Sequence, residues 1–263
     1  MLQRLTGLLT TRRSDERRMA ARIPDGQRVY AIGDIHGRSD LLVELLGRLK
    51  ADALGFEGEI TLVCVGDYID RGPDSKGVVD VLLAEIPASW KTVFLRGNHE
   101  QAMLDFLAEP ATRGEWLAWG GMQALESYGV APYGARGIRD VAALAAEMRH
   151  ALEECGQMGF FEKTELAALC GDYMFVHAGV RSGIAADRQM AEDLLFIRED
   201  FLGRPHNLPY RVVFGHTIFS DPVIEDDRIG LDTGAFQTGI LTALRLEDAE
   251  VEVFQTGVKA AAA

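Results

Sequence analysis

The chain has 263 residues, 48% of them hydrophobic, enough to bury a full-sized core in one or two domains. Its formal net charge of −13 argues against extended DNA or RNA binding, which needs a basic face, but leaves room for a small phosphorylated substrate held by metals and a few arginines. Cys64, Cys155 and Cys170 lack paired spacing and read as reduced thiols of a cytoplasmic protein, and no stretch is long and apolar enough to span a membrane.

Met1 to Arg22 carries Arg4, Arg12, Arg13, Arg17, Arg18 and Arg22 without a continuous apolar run. It reads as a loosely held arm over residues 1–24, not a secretory signal. Residues 25–257 read as one domain and 258–263 as a loose alanine-rich tail.

Arg28 to Ile32 begins an apolar strand that GDIHG, Gly33 to Gly37, closes. Ser39 or Asp40 can cap the helix that follows, whose Leu41, Leu42, Leu45, Leu46 and Leu49 recur at helical spacing. Ile60 to Val65 is a second buried-type strand, running into GDYIDRG, Gly66 to Gly72, and then a helix over Ser75 to Ile86. Thr92 to Arg96 is a third strand, followed by RGNHE, Arg96 to Glu100, and a helix over Gln101 to Leu107. This strand–helix repetition predicts parallel strands with right-handed crossovers and puts three charged turns at their carboxyl ends, where open α/β sheets bind ligands.

Residues 101–155 read as mostly helical, with Trp116 and Trp119 expected to serve hydrophobic packing in preference to shaping a substrate groove. In the second half Tyr173 to Val176 ends in His177-Ala178-Gly179, and Arg211 to Phe214 ends in Gly215-His216-Thr217. Asp193 to Phe201 reads as a helix carrying Arg198. Val223-Ile224, Ile229 to Asp232, Ile240 to Leu246 and Val251 to Phe254 read as short strands of a second, mixed sheet packed on the first.

Alone, each charged turn could be an ordinary polar turn, and a single histidine is more often structural than metal-bound. Together they place Asp34, His36, Asp67, Asn98, His177 and His216 within a few residues of strand ends. Carboxylate and amide oxygens mixed with imidazoles suit Mn²⁺, Fe or Zn²⁺, and six such ligands exceed one tetrahedral site. Two ions sharing Asp67, on the middle turn, account for all six. Such a pair can ionise a shared water at neutral pH and hold phosphoryl oxygens in line. His99 is then the candidate proton donor to the leaving oxygen, with Asp70 orienting it. Arg71 and Arg96, with Arg198 more distant, are candidates for phosphate countercharge. Asp232 reads equally as a support to a metal-bound histidine or as a turn-forming residue, and His150 and His206 read as surface residues.

GDIHG, GDYIDRG, RGNHE, His-Ala-Gly and Gly-His, spanning Gly33 to His216, together resemble the phosphoprotein phosphatase branch of the calcineurin-like metallophosphoesterases. RGNHEQAML and the WLAWGG segment are most similar to bacterial serine/threonine phosphatases related to the phage lambda enzyme. The resemblance implies an α/β fold, a four-layer αββα sandwich of two mixed sheets flanked by helices. It implies two divalent ions, Mn²⁺ first among them, one held by Asp34, His36 and Asp67 and the other by Asp67, Asn98, His177 and His216. It implies His99 with Asp70 as the acid pair, Arg71, Arg96 and Arg198 as phosphate contacts, and a metal-bridging hydroxide as nucleophile on a phosphoprotein or phosphopeptide. LDTGA stands where eukaryotic members carry a different C-terminal segment, so regulatory partners do not carry over. The leading reading is a phosphomonoesterase of phosphoserine and phosphothreonine that tolerates small aryl phosphates and phosphotyrosine. The alternatives are a symmetrical dinucleoside tetraphosphate hydrolase and a phosphate-binding module without catalysis, the last disfavoured by the presence of both His99 and Asp70.

Overall fold

A computed structural model of the chain describes residues 21–257. The expected C-terminal tail and all of the expected N-terminal arm except residues 21–24 lie outside the described residues. Ile23 is buried between the two sheets.

The first half builds three strand–helix units: β1 (Gln27–Ile32) and α1 (Ser39–Asp52), β2 (Glu59–Cys64) and α2 (Ser75–Ala84), β3 (Lys91–Phe94) and α3 (Asn98–Ala108). β1, β2 and β3 pair in parallel, Ile32 opposite Cys64 and Cys64 opposite Phe94, so their carboxyl ends are level. Neither Ser39 nor Asp40 caps α1 through its side chain. Ser39 Oγ instead donates to Asp74 at 2.5 Å, and Asp40 sits in the first turn paired with Arg38. α1 is held by burial of its five leucines, each contributing roughly 2 kcal/mol.

A helical region follows: a 3₁₀ turn over Gly114–Trp119, α4 (Gly121–Ser127), the hairpin β4 (Tyr133–Gly134) and β5 (Gly137–Ile138), α5 (Val141–Glu154) and α6 (Met158–Glu162). Then come β6 (Ala167–Cys170), β7 (Tyr173–Val176), α7 (Ala191–Phe196), α8 (Glu199–Leu202), β8 (Arg211–Phe214), β9 (Val223–Ile224) and β10 (Arg228–Gly230). The described chain ends with α9 (Ala235–Thr238), β11 (Thr242–Glu247) and β12 (Glu250–Gln255).

Two mixed five-stranded sheets result, in the orders β12-β11-β1-β2-β3 and β6-β7-β8-β10-β9. Strand alternation sorts the side chains into three apolar layers. Val29, Ala31, Val63 and Val65 meet Tyr173, Phe175 and Val213 between the sheets. Tyr30, Ile32, Leu62 and Cys64 face α1–α6, while Met174, Val176 and Val212 face α7 and α8. The fold is the four-layer αββα sandwich.

Two expectations are corrected. β11 and β12 do not join the second sheet: β11 pairs antiparallel with β1 and carries β12 at the outer edge of the first. A β-rich pattern specifies which faces are apolar but not which sheet edge a late strand covers. The helix expected over Asp193 to Phe201 is two short helices, with Arg198 at the break between them in a non-helical conformation.

Candidate metal centre

Every parallel strand that ends near the middle of the molecule delivers a polar residue to one place. β1 leads to Asp34 and His36, β2 to Asp67, β3 to Asn98 and His99, β7 to His177, and β8 to His216; all are buried. Two groups of side chains have ligand atoms close enough to hold a cation. One is His36, Asp67 and His99, the other Asp67, His177 and His216, and Asp67 belongs to both.

The turns are strained to make this possible. His36, Asp67, Asp70, Arg71 and His216 all have φ between +45° and +72°, a region costing a residue with a Cβ on the order of 1 kcal/mol. The turns also press together: a Cβ on Gly97 would collide with Oδ1 of Asp67, and one on Gly215 with Oδ1 of Asp34.

Hydrogen bonding orients each ring. Nδ1 of His36 faces the carbonyl of Ile69 at 2.8 Å and Nδ1 of His177 faces that of Val65 at 3.0 Å, so both donate there and turn an Nε2 lone pair inward. His177 Nε2 then lies 2.9 Å from Asn98 Oδ1 and 3.5 Å from Asp67 Oδ1, lone pairs facing one another with no proton between them. His216 Nδ1 is 2.8 Å from the same Asn98 oxygen. Asp34 accepts the backbone N–H of His216 at Oδ2, while its Oδ1 is buried without a hydrogen bond, as are His216 Nε2, Asp232 Oδ2 and His36 Nε2, the last 3.3 Å from Oδ2 of Asp67. Converging acceptors and orphaned buried atoms of mixed oxygen and nitrogen type are what divalent cations satisfy, so these residues fit a metal pair.

The electrostatics agree. Burial drives His216 down to about 2, with His177 adding to it, and burial likewise lowers His177, which favours the neutral imidazoles that cations bind. Burial alone would raise Asp67, but His177, His99 and His36 override it and hold its carboxyl well below the usual range. Burial raises Asp34, with the charges of Asp232 and Asp67 adding to it.

Beside this cluster His99 donates from Nδ1 to Oδ2 of Asp70 at 2.7 Å. Burial opposes charge on His99, yet Asp67 and the hydrogen-bonded Asp70 outweigh it and raise its pKa. Arg71 donates to His99 Nε2 at 2.8 Å and lies over the ring of Phe236 at 5.0 Å. Arg198 donates to the carbonyl of His216 at 3.1 Å and to Thr217 Oγ1 at 3.2 Å, on the rim of the cluster.

The structure does not gather Arg96 with these residues. Its guanidinium donates to Thr164 Oγ1, Gln101 Oε1 and the carbonyls of Phe161 and Glu162, tying α3 to the end of α6. Asp232 forms a turn through Gly234 N–H and also neighbours Asp34 in charge. His206, expected at the surface, is fully buried against the carbonyl of Asp227.

Two residues had not stood out. The Glu100 carboxylate accepts four backbone N–H groups, those of Asp67 and Gly97 at Oε2 and those of Tyr68 and Ile69 at Oε1, and so pins two ligand turns together. Its place three residues past Gly97, the N-cap of α3, was the available signal. Trp116 packs on Phe106 as expected but also donates its indole N–H to Asp70 at 2.8 Å. Trp119 is not core: it stands 40% exposed beside His99.

The profile of a family described as calcineurin-like phosphoesterase matches residues 27–233. The chain belongs to the calcineurin-like phosphoesterases. Among family relatives, serine/threonine-protein phosphatase 1 of Salmonella typhimurium is 43% identical over 93 residues, 35% of this chain and only 38% of that protein. The asymmetrical bis(5'-nucleosyl)-tetraphosphatase PrpE of Halalkalibacterium halodurans is 26% identical over 242 residues, 83% of this chain and 90% of that protein. Among solved structures, a putative diadenosine tetraphosphatase superposes with a TM-score of 0.58 at 21% identity, over 89% of this chain and 98% of the other. A serine/threonine phosphatase from Saccharomyces cerevisiae superposes at 0.54 and 15% identity, over 90% and 82%. At these identities the likeness of the structures is one of fold.

Proposed function

We propose that the chain is a phosphoester hydrolase that uses two divalent ions, manganese foremost, and acts on phosphoserine and phosphothreonine in proteins. The observation that carries this reading is Asp67, common to two groups of would-be ligands, with the His99–Asp70 pair within reach of the same carboxylate. Asp34, whose Oδ1 is buried without a hydrogen bond, would join His36 and Asp67 on one ion in place of the His99 of the first group, and Asp67, Asn98, His177 and His216 would hold the other. When bound, the ions supply Lewis acidity, lowering the pKa of water and offsetting phosphoryl charge.

The remaining work falls to the side chains. Arg71 and Arg198 bind phosphoryl oxygens, and those oxygens compete for Arg71 with Nε2 of His99. With Nδ1–H held on Asp70, Nε2 is the atom that passes its proton to the leaving oxygen. In this structure Nε2 accepts from Arg71, and it is free to carry that proton once the phosphoryl group has drawn Arg71 away. Asp70 keeps the ring in register through the transfer.

The Salmonella phosphatase match and the GDYIDRG and RGNHE motifs support the phosphoprotein substrate. A second reading, hydrolysis of dinucleoside tetraphosphates, draws support from relatives so named that align over 90% of their length. Those relatives carry the asymmetrical name, whereas the alternative weighed from the sequence is the symmetrical hydrolase, which RGNHE and GDYIDRG disfavour. Turnover by manganese-loaded protein on a phosphothreonine peptide and on diadenosine tetraphosphate separates the two. A kcat/KM at least tenfold higher on the peptide supports the first reading, the reverse order supports the second, and turnover of neither removes both.

A further inference from the structure

We infer that Trp119 is the wall against which the leaving group of the ester lies, and that it selects planar, apolar leaving groups over small alkyl ones. The inference rests on the reading of His99 as proton donor. If Nε2 of His99 protonates the leaving oxygen, the carbon skeleton behind that oxygen must pass beside the His99 ring. The exposed apolar surface at that point is Trp119, its ring centroid 6.1 Å from that of His99 at an interplanar angle of 62°.

The local fold explains why this side chain is there. Gly114–Trp119 is a 3₁₀ helix, with three residues per turn, so Trp116 and Trp119 project from the same face. Trp116 is buried and spends its indole N–H on Asp70. Trp119, one turn later, reaches the other member of the pair, His99. The helix end is docked at that spot: Arg71 N–H donates to the carbonyl of Gly120 at 3.3 Å, and a Cβ on Gly120 would stand 2.6 Å from that nitrogen. Substrate-binding Arg71 and Trp119 are thus set on adjoining backbone.

Single exposed apolar residues are common and need no explanation. Trp119 differs because it adjoins a buried proton donor and because the other ring nearby is already engaged. Phe236 packs edge-on to His36 at 5.5 Å and lies under the Arg71 guanidinium, on the metal-ligand side of the site. Trp119 has no such partner cation among the described residues and offers its surface to an incoming group. An indole face favours aryl and other π-faced groups through offset or edge contacts. Phosphotyrosine and aryl phosphates are the esters it favours over the alkyl esters phosphoserine and phosphothreonine.

The test uses the full chain loaded with manganese and two non-hydrolysable ligands, phenylphosphonate and methylphosphonate, with dissociation constants from calorimetry. The same ratio is read in kcat/KM from phenyl phosphate and ethyl phosphate. Trp119→Ala should lower the phenyl-to-alkyl preference about threefold to tenfold in both measurements. Trp119→Phe, which restores a ring, should recover most of it. Inorganic phosphate binding serves as the control that the site persists in both variants. An unchanged preference in Trp119→Ala overturns the inference and leaves the hydrolase reading intact. So does an equal fall in Trp119→Phe, which marks a structural defect. Wild-type protein that neither binds the phosphonates nor turns over either ester overturns the hydrolase reading and the inference with it.

Discussion

The indole N–H of Trp116 lies 2.8 Å from Oδ2 of Asp70, the oxygen that His99 also reaches from Nδ1 at 2.7 Å. Two donors on one buried carboxylate oxygen keep Asp70 oriented beside the imidazole. Trp116→Phe keeps most of the ring volume against Phe106 but removes one donor, a loss worth about 1–3 kcal/mol at a buried charge. We expect kcat to fall about tenfold with KM and manganese stoichiometry little changed. Steady-state kinetics beside metal analysis checks this, and an unaltered kcat contradicts it.

Arg96 of RGNHE and Arg71 of GDYIDRG differ in what they bind. Arg96 is bound to Thr164, Gln101 and the carbonyls of Phe161 and Glu162, so Arg96→Ala should destabilise the fold by about 1–3 kcal/mol while the inhibition constant of inorganic phosphate moves less than twofold. Arg71→Ala should do the opposite, weakening phosphate at least tenfold with a small change in unfolding midpoint. Denaturant melts and phosphate inhibition measured on both variants decide it.

Glu100 joins the Asp67 turn to the Gly97–Asn98 turn through four backbone N–H groups. Burial pushes its carboxyl up, with the charge of Asp67 adding, against the pull of those four donors. Glu100→Gln sets an amide NH₂ against backbone N–H groups and should weaken manganese binding about 10- to 100-fold, as loss of a group that orients metal ligands does. Glu100→Asp should fall between the two. Calorimetric titration with manganese reads it, and wild-type affinity in the glutamine variant removes Glu100 from this role.

Much of this site was legible because the chemistry sits at strand ends, and β1, β2, β3, β7 and β8 are short apolar runs that stop abruptly at Gly-Asp, Gly-Asn or His. Period and punctuation suffice for that. They do not suffice where the partner is remote in sequence. Trp116 and Asp70 are 46 residues apart, and Arg96 and Thr164 are 68 apart, so neither bond leaves a local trace. The same limit put β11 in the wrong sheet, since its pairing with β1 spans most of the chain. Arg198 looked helical because its neighbours on both sides are, while its backbone breaks the helix to reach the His216 turn.

Away from the metal centre, Arg228 binds both carboxylate oxygens of Asp227 at 2.9 Å, lies on the ring of Phe201 at 4.6 Å, and donates to the carbonyls of Phe201 and Arg204. The clamp fastens α8, which follows Arg198 directly. The hydrogen bond from Arg228 holds Asp227 below the usual carboxylate value, so its contribution is present above an unfolded pKa of about 3.9 and is lost as pH falls through the lower folded value. Asp227→Asn should therefore cost about 1 kcal/mol at pH 7, limited by the partial exposure of the pair, and less at pH 3. Urea unfolding at both pH values tests the sign; an equal cost at both contradicts it.

The most direct measurement is the number of manganese ions bound per chain in the wild type and in Asp67→Asn, by calorimetry and metal analysis of the dialysed protein. Sharing of Asp67 between the two ligand groups predicts two ions in the wild type and a loss of affinity at both sites in the variant. One ion or none in the wild type, or two ions held undiminished by Asp67→Asn, contradicts the account.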